Sequence, residues 1–257
     1  MCLAIVALNA HPRYALVVAA NRDEYHARPT ARAHWWSDDE MRRILAGRDL
    51  EAGGTWLGVT RSGRWAFVTN VREGGHRDAV APSRGALVPR VLRDARDPKT
   101  ALAAAIADAA HYNGFNLMAG DVNMACWGSN RGEKGCAVPP GVHGLSNARL
   151  DTPWPKLART KAGVAAWAAQ GRDDVEPLFA LLADRERARD DELPDTGVSI
   201  EWERILSAPF IIGERYGTRC STVLTMSRDG EARFVEQSFD APGEPSARVD
   251  TTFALSP

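Results

Sequence analysis

Two apolar runs at the start of the chain, Leu3-Ala4-Ile5-Val6-Ala7-Leu8 and Ala15-Leu16-Val17-Val18-Ala19-Ala20, set the tightest limit on what it can fold into. Each has the length of a strand, and Asn9-Ala10-His11-Pro12-Arg13 between them is rich in turn formers. The pair reads as a buried antiparallel hairpin. In such a hairpin the start of the first strand lies beside the end of the second. Cys2, at the outer tip of the first strand, is therefore expected close to Asn21-Arg22-Asp23-Glu24, where the second strand leaves the apolar region.

A cysteine at position 2 has particular chemistry. An initiator methionine is usually clipped when the next side chain is small, which leaves Cys2 with a free α-amine. The reference pKa of an α-amine is about 7.7 to 8.0 and that of a thiol about 8.5, so near neutral pH one group deprotonates the other with little driving force. Cys2 then carries nucleophile and base in one residue. Arg22 and nearby asparagines are donors of the type that an oxyanion formed on attack requires. The competing reading is a small apolar residue opening a core strand, because free cysteine is among the most buried residue types.

The 257 residues are enough for a substantial core, and 44% apolar with 25% charged residues is the make-up of an ordinary soluble protein. A net charge of −1 gives no footing for nucleic acid or an anionic membrane surface, and the Arg42-Arg43 cluster is too short to supply one. No apolar run approaches the roughly 18 residues of a membrane span, and the first segment lacks the basic and cleavage regions of a signal peptide. A cytoplasmic location is the expectation. Cys2, Cys126, Cys136 and Cys220 are too scattered for a disulfide scaffold, so free thiols are expected. Cys126 and Cys136 have no histidine at metal-ligand spacing, and no metal or other cofactor is predicted.

Further along, Tyr25 to Asp39 reads as an irregular loop whose Trp35-Trp36 pair either anchors it or lines a substrate mouth. Residues 53–59 and 64–71 form a second hairpin around Ser62-Gly63, and Asn70 falls at a strand end as Asn21 does. Gly53-Gly54 is not a phosphate loop, because no Gly-Lys-Ser/Thr follows. Helices are predicted from Ser83 through Leu92 and from about Pro98 to Ala109, followed by short strands over 114–120 and 123–127. Val142 to Asn147 is a short strand ending in another asparagine; its His143 is read as structural for want of a paired acid nearby. Helices follow up to Gln170 and over Asp173 to Arg189. Glu201 and Glu203 are read as surface partners of Arg204. Thr218, Arg219 and Ser221 mark the polar entrance of a late strand, which pairs with a strand from Ala232 to Phe239. Thr251 to Leu255 adds a final edge strand. Strands and helices in blocks, with hairpins predominating, indicate an α+β layered domain spanning residues 1–257 and not a βαβ nucleotide-binding fold.

Taken together, Met1-Cys2, Asn21-Arg22-Asp23-Glu24, Gly53-Gly54-Thr55-Trp56-Leu57-Gly58, Thr69-Asn70-Val71-Arg72, Ser83-Arg84-Gly85, Leu145-Ser146-Asn147 and Tyr216-Gly217-Thr218-Arg219-Cys220-Ser221-Thr222 closely resemble the NRDE family. That family looks like a branch of the N-terminal nucleophile (Ntn) hydrolases, near the cysteine enzymes penicillin V acylase and bile salt hydrolase. The resemblance implies a four-layer αββα sandwich of two antiparallel sheets between helices. By position it makes Cys2 the nucleophile, Arg22 the charged group that steadies it, Asn70 and Asn147 the asparagines near the oxyanion, and Arg219 a supporting arginine. Asn21, Asp23, Glu24, Trp56 and Thr218 complete the expected binding surface. One departure is plain: the acylases place an aspartate three residues beyond the arginine, whereas Asp23 and Glu24 follow Arg22 directly, so either acid is left to hold the amine.

Two functions follow from the resemblance. One is an N-terminal cysteine amidohydrolase that cleaves a C–N amide bond of a small acylated substrate. The other is a non-catalytic binding or trafficking protein for haem, acyl-CoA or lipid on the same fold, with Trp35, Trp36 and Trp56 available for an apolar pocket.

Overall fold

A computed structural model of the chain describes residues 2–37, 44–74 and 78–256. The Arg42-Arg43 cluster, the end of the loop expected over Tyr25 to Asp39, and residues 75–77 lie outside these residues. In chain order the elements begin with β1 (Leu3–Leu8), β2 (Tyr14–Tyr25), β3 (Thr30–Trp35), β4 (Ile44–Asp49), β5 (Leu57–Thr60) and β6 (Trp65–Asn70). Helices α1 (Leu87–Arg93) and α2 (Pro98–Ala107) precede β7 (Phe115–Gly120), β8 (Ala125–Ser129), β9 (Cys136–Val138) and β10 (Gly141–Leu145). Then come α3 (Pro155–Ala169), α4 (Glu176–Leu182), α5 (Ile200–Leu206), β11 (Tyr216–Ser227), β12 (Glu231–Phe239) and β13 (Pro245–Ala254).

The strands form two antiparallel sheets, ordered β10-β1-β2-β11-β12-β13 and β3-β4-β5-β6-β7-β8-β9. The opening hairpin is the middle of the first: Leu3 pairs with Asn21 and Leu8 with Leu16. Successive side chains of a strand point to opposite faces. Ala4, Val6 and Leu8 therefore enter the core between the sheets, with Trp65, Phe67 and Leu224, while Leu3, Ile5 and Ala7 face α3 and α4. Ile44, Ala66 and Leu117 on the far face of the second sheet pack on α1 and α2. Three apolar interfaces between four layers make this the expected αββα sandwich, and burial on both faces explains why the first two runs are apolar throughout.

Several local expectations are corrected. Strand β2 continues through Asn21 to Tyr25, so the polar tetrad lies within the ladder instead of beyond it. Thr30–Trp35 is a strand where a loop was expected, because β4 offers it an unpaired edge. The helix expected over Asp173 to Arg189 is helical only over Glu176–Leu182; Arg159 holds Asp184 at 2.7 Å, residues 184–189 are not helical, and Asp190–Glu192 is a single 3-10 turn. Gly144 of β10 is where α3 approaches closely: a Cβ there would meet Leu157 Cδ2 at 2.6 Å. All four cysteines are free. Among the described residues no helix is long and apolar enough to cross a membrane, and no cluster of His, Cys, Asp and Glu has the make-up of a metal site.

Candidate active site

Cys2 is fixed from three sides by groups that the first sheet brings together. Its N–H donates to the Asn21 carbonyl at 3.2 Å, which extends the β1–β2 ladder by one bond. Ser146, just beyond β10, donates its hydroxyl to the Cys2 carbonyl at 2.6 Å. The thiol points to the Asp23 carbonyl at 4.0 Å and lies 3.4 Å from the Tyr216 hydroxyl. The residue is 4% exposed. It forms part of the wall of a cavity of about 300 Å³ that Asn70, Arg72, Asn147, Trp202 and Tyr216 also line.

Alternation along β2 sends the tetrad to different places. Asn21 turns toward the helical layer, where its amide donates to Leu182 and Pro209 carbonyls at 2.8 and 2.9 Å and its oxygen accepts from Ser221 at 2.6 Å. Asp23 accepts the Thr218 hydroxyl at 2.7 Å and lines the Cys2 cavity. Arg22 points the other way, with its guanidinium 4.3 Å from the Trp56 ring centre and 3.1 Å from the Thr30 hydroxyl. It lines a second cavity of about 310 Å³, with Trp56, Arg28 and Asp49. Glu24 reaches Arg22 at 3.9 Å and Arg28 at 4.0 Å and, like Asn70 and Arg84, borders both cavities.

Of the expected catalytic residues, then, Cys2, Asn70 and Asn147 share one cavity and Arg22 opens to its neighbour. Asn147 donates its amide to the Asn70 carbonyl at 2.9 Å, which locks the two strand ends together. Arg219 lines neither cavity. It occupies the irregularity between the Thr218–Asp23 and Cys220–Arg22 pairs, and its Nη1 donates to the carbonyls of Tyr25, His26 and Arg28 at 2.9 to 3.2 Å. The expected tryptophan pocket is also redrawn: Trp36 is buried against α1, Trp35 packs on Phe253, and Trp56 lies under Arg22. The aromatic groups at the Cys2 cavity are Tyr25, Trp202 and Tyr216.

Buried charge surrounds this cavity. Lys156, in the first turn of α3, is 2% exposed, and its Nζ makes no hydrogen bond to any described atom. Burial, reinforced by Arg72, pulls its pKa down to about 8, against the opposing pull of Asp23, Cys2 and Glu203. Burial pushes the Asp23 carboxyl up, opposed first by Lys156 and then by the Thr218 bond. Glu203 is not the surface partner of Arg204 that the sequence suggests. It is buried, pairs with Arg72 at 2.6 Å and accepts the Thr196 N–H at 3.0 Å, whereas Arg204 bonds Asp190. His143 does have an acid partner, Asp151 at 2.8 Å, and with its other nitrogen on the Pro139 carbonyl it is a structural residue.

With this geometry in place, comparison with known proteins is informative. The chain matches the family described as Transport and Golgi organisation 2 over residues 1–241. This chain belongs to the Transport and Golgi organisation 2 family. The Transport and Golgi organization protein 2 homolog of Bos taurus is 35% identical over 277 residues, covering 98% of this chain and 97% of its own. The homolog of Homo sapiens is 35% identical over 261 residues and 93% of each chain. Among solved structures, penicillin V acylase from Agrobacterium tumefaciens superposes with a TM-score of 0.50 at 13% identity, over 97% of this chain and 90% of that one. A mutant of conjugated bile acid hydrolase from Clostridium perfringens gives 0.51 at 9% identity, over 100% and 97%. At these identities the likeness concerns the fold, and the Transport and Golgi organisation 2 family therefore has, in this member, an Ntn hydrolase-like fold.

Sequence reasoning missed Arg72, Ser146, Lys156, Glu203 and Tyr216. Arg72, Ser146 and Tyr216 stand inside motifs that carry the family resemblance, so the signal was present. Lys156 gave none and Glu203 was read as a surface partner of Arg204, since both sit in helical segments where charge ordinarily faces water.

Proposed function

We propose that the protein is an N-terminal cysteine amidohydrolase acting on a small acylated substrate, with residues 1–257 as one domain working in the cytoplasm. The observation that carries this reading is Cys2 lining a cavity whose wall also holds Asn70 and Asn147, three residues from separate strand ends. Removal of Met1 supplies the α-amine that accepts the thiol proton. The sulfur then attacks the amide carbonyl, and the oxyanion is met by the Asn70 and Asn147 amides. Collapse breaks the C–N bond, the ammonium returns its proton to the leaving nitrogen, and water hydrolyses the remaining thioester. Of the two candidate acids, Asp23 is assigned to the α-amine, because it lines the Cys2 cavity whereas Glu24 is engaged with Arg22 and Arg28. The names of the acylase and hydrolase that share the fold support the reaction class. Mass spectrometry of the mature N-terminus and a panel of acyl amides test it: a chain that begins at Cys2 and loses hydrolysis on Cys2→Ser is expected. A retained Met1, or undiminished turnover by the variant, overturns it.

A second reading is a carrier for haem, acyl-CoA or lipid in the same cavity. It is favoured by Trp202 and Tyr25 at the cavity, 40% and 47% exposed, with Val198 and Leu206 beside them. Titration of haem and long-chain acyl-CoA should then saturate and weaken on Trp202→Ala; lack of saturation removes this reading.

A further inference from the structure

We propose that Tyr216 is a catalytic residue, whose hydroxyl donates a hydrogen bond to the Cys2 sulfur and stabilises it as the attacking anion. The inference deepens the nucleophile reading above and rests on it. Tyr216 Oη lies 3.4 Å from Sγ, within sulfur hydrogen-bond range, and both residues line the same cavity.

The ring is held in that position by its strand and by two aromatic neighbours. The backbone of Tyr216 pairs with Tyr25 at the first rung of β11 on β2. Its ring takes the edge contacts of Tyr25 at 5.3 Å and Trp202 at 5.9 Å between centroids. A phenol held by two aromatic edges keeps its hydroxyl aimed without the loss of rotamer freedom that a long, flexible donor would incur. The direction of donation follows from the surroundings. Burial and the adjacent Cys2, Asp23 and Glu24 push the phenol well above its ordinary range, so it keeps its proton. Once the thiol has lost its proton the sulfur has none to offer, and the contact is then a donation from the phenol. During the proposed reaction the thiol proton goes to the α-amine, the sulfur lone pair forms the bond to carbon, and the tyrosine proton stays on oxygen throughout.

The role differs from that of the asparagines, which face the oxygen of the substrate carbonyl. Tyr216 acts on the attacking atom. Its effect is therefore readable without any substrate, which separates its failure from failure of the amidohydrolase reading.

Tyr216→Phe keeps the ring and both edge contacts and deletes the donor. Alkylation of Cys2 by iodoacetamide at pH 7, followed by peptide mass spectrometry with exposed Cys136 as the internal control, is expected to slow about tenfold, the scale of one hydrogen bond to a charged group. A purely structural tyrosine would leave the rate unchanged or, by loosening the cavity, raise it; either result overturns the proposal. A second measurement needs no substitution. In wild-type chain labelled with fluorotyrosine, one of the four tyrosine 19F signals should move when Cys2 is alkylated. If none moves, the contact does not exist in solution and the proposal falls.

Discussion

The amide of Asn147 donates to the backbone carbonyl of Asn70 at 2.9 Å, so an asparagine after β10 in the first sheet fixes the end of β6 in the second. That bond ties the two sheets together at the Cys2 cavity, which both asparagines line. Asn70→Ala removes one amide without touching the backbone carbonyl that Asn147 holds. It is expected to lower kcat by about 10²- to 10³-fold, with little change in melting temperature. Steady-state kinetics beside a thermal melt separates the two quantities.

Lys156 and Asp23 are opposite charges buried in one cluster, each with an atom that makes no hydrogen bond to a described residue. Removing either alone strands the other. Lys156→Met and Asp23→Asn are each expected to destabilise, and the double variant to cost less than their sum by about 1 to 3 kcal/mol. Urea denaturation of the four proteins closes the cycle, and strict additivity would show that the two charges do not interact.

Glu236, between the sheets, accepts the Ala33 N–H at 2.8 Å, yet burial raises its pKa to about 7. The folded value lies above the unfolded one, so Glu236 contributes stability that is complete below about pH 4.5 and is lost as pH rises through about 7. Glu236→Gln mimics the protonated form. The stability of the variant relative to wild type should therefore grow between pH 5 and pH 8, by an amount of order 3 kcal/mol at most. Chemical denaturation at the two pH values checks the sign.

Arg219 grips three carbonyls at and after the end of β2 and lines neither of the two cavities. Arg219→Ala is expected to lower the melting temperature through loss of about 1 to 3 kcal/mol, while the rate of Cys2 alkylation stays within twofold of wild type. A collapse of thiol reactivity with unchanged stability would instead give Arg219 the catalytic role that its position in the family motif implies.

How much of this was legible beforehand depends on what each residue answers to. The opening hairpin was readable because apolar runs of strand length answer to burial, a local property of the sequence. Asn70 and Asn147 were readable as strand-end asparagines, and the hairpin register brought Asn21-Arg22-Asp23-Glu24 to Cys2. The tetrad's division between the two faces of the sheet was not, since it depends on β2 running on to Tyr25 against β11, a partner some 190 residues later. Lys156 and Glu203 escaped for a similar reason. Each looks like an ordinary surface charge on a helix until the fold closes over it, and no local pattern records that the covering layer, not water, is its neighbour. Strand β3 was missed because its pairing partner, not its own composition, makes it a strand.

Because β2 remains extended through its four polar residues, neighbours in the sequence become strangers in space. Asn21 and Asp23 share one face of the sheet and Arg22 and Glu24 the other, with Asn21 spent on the helical layer and Glu24 bordering both cavities, so one stretch of backbone serves two sides at once. Evolution can retune the cleft beside Trp56 without disturbing the sulfur, provided no residue is gained or lost. A single insertion after Ala20 would exchange the two sets wholesale.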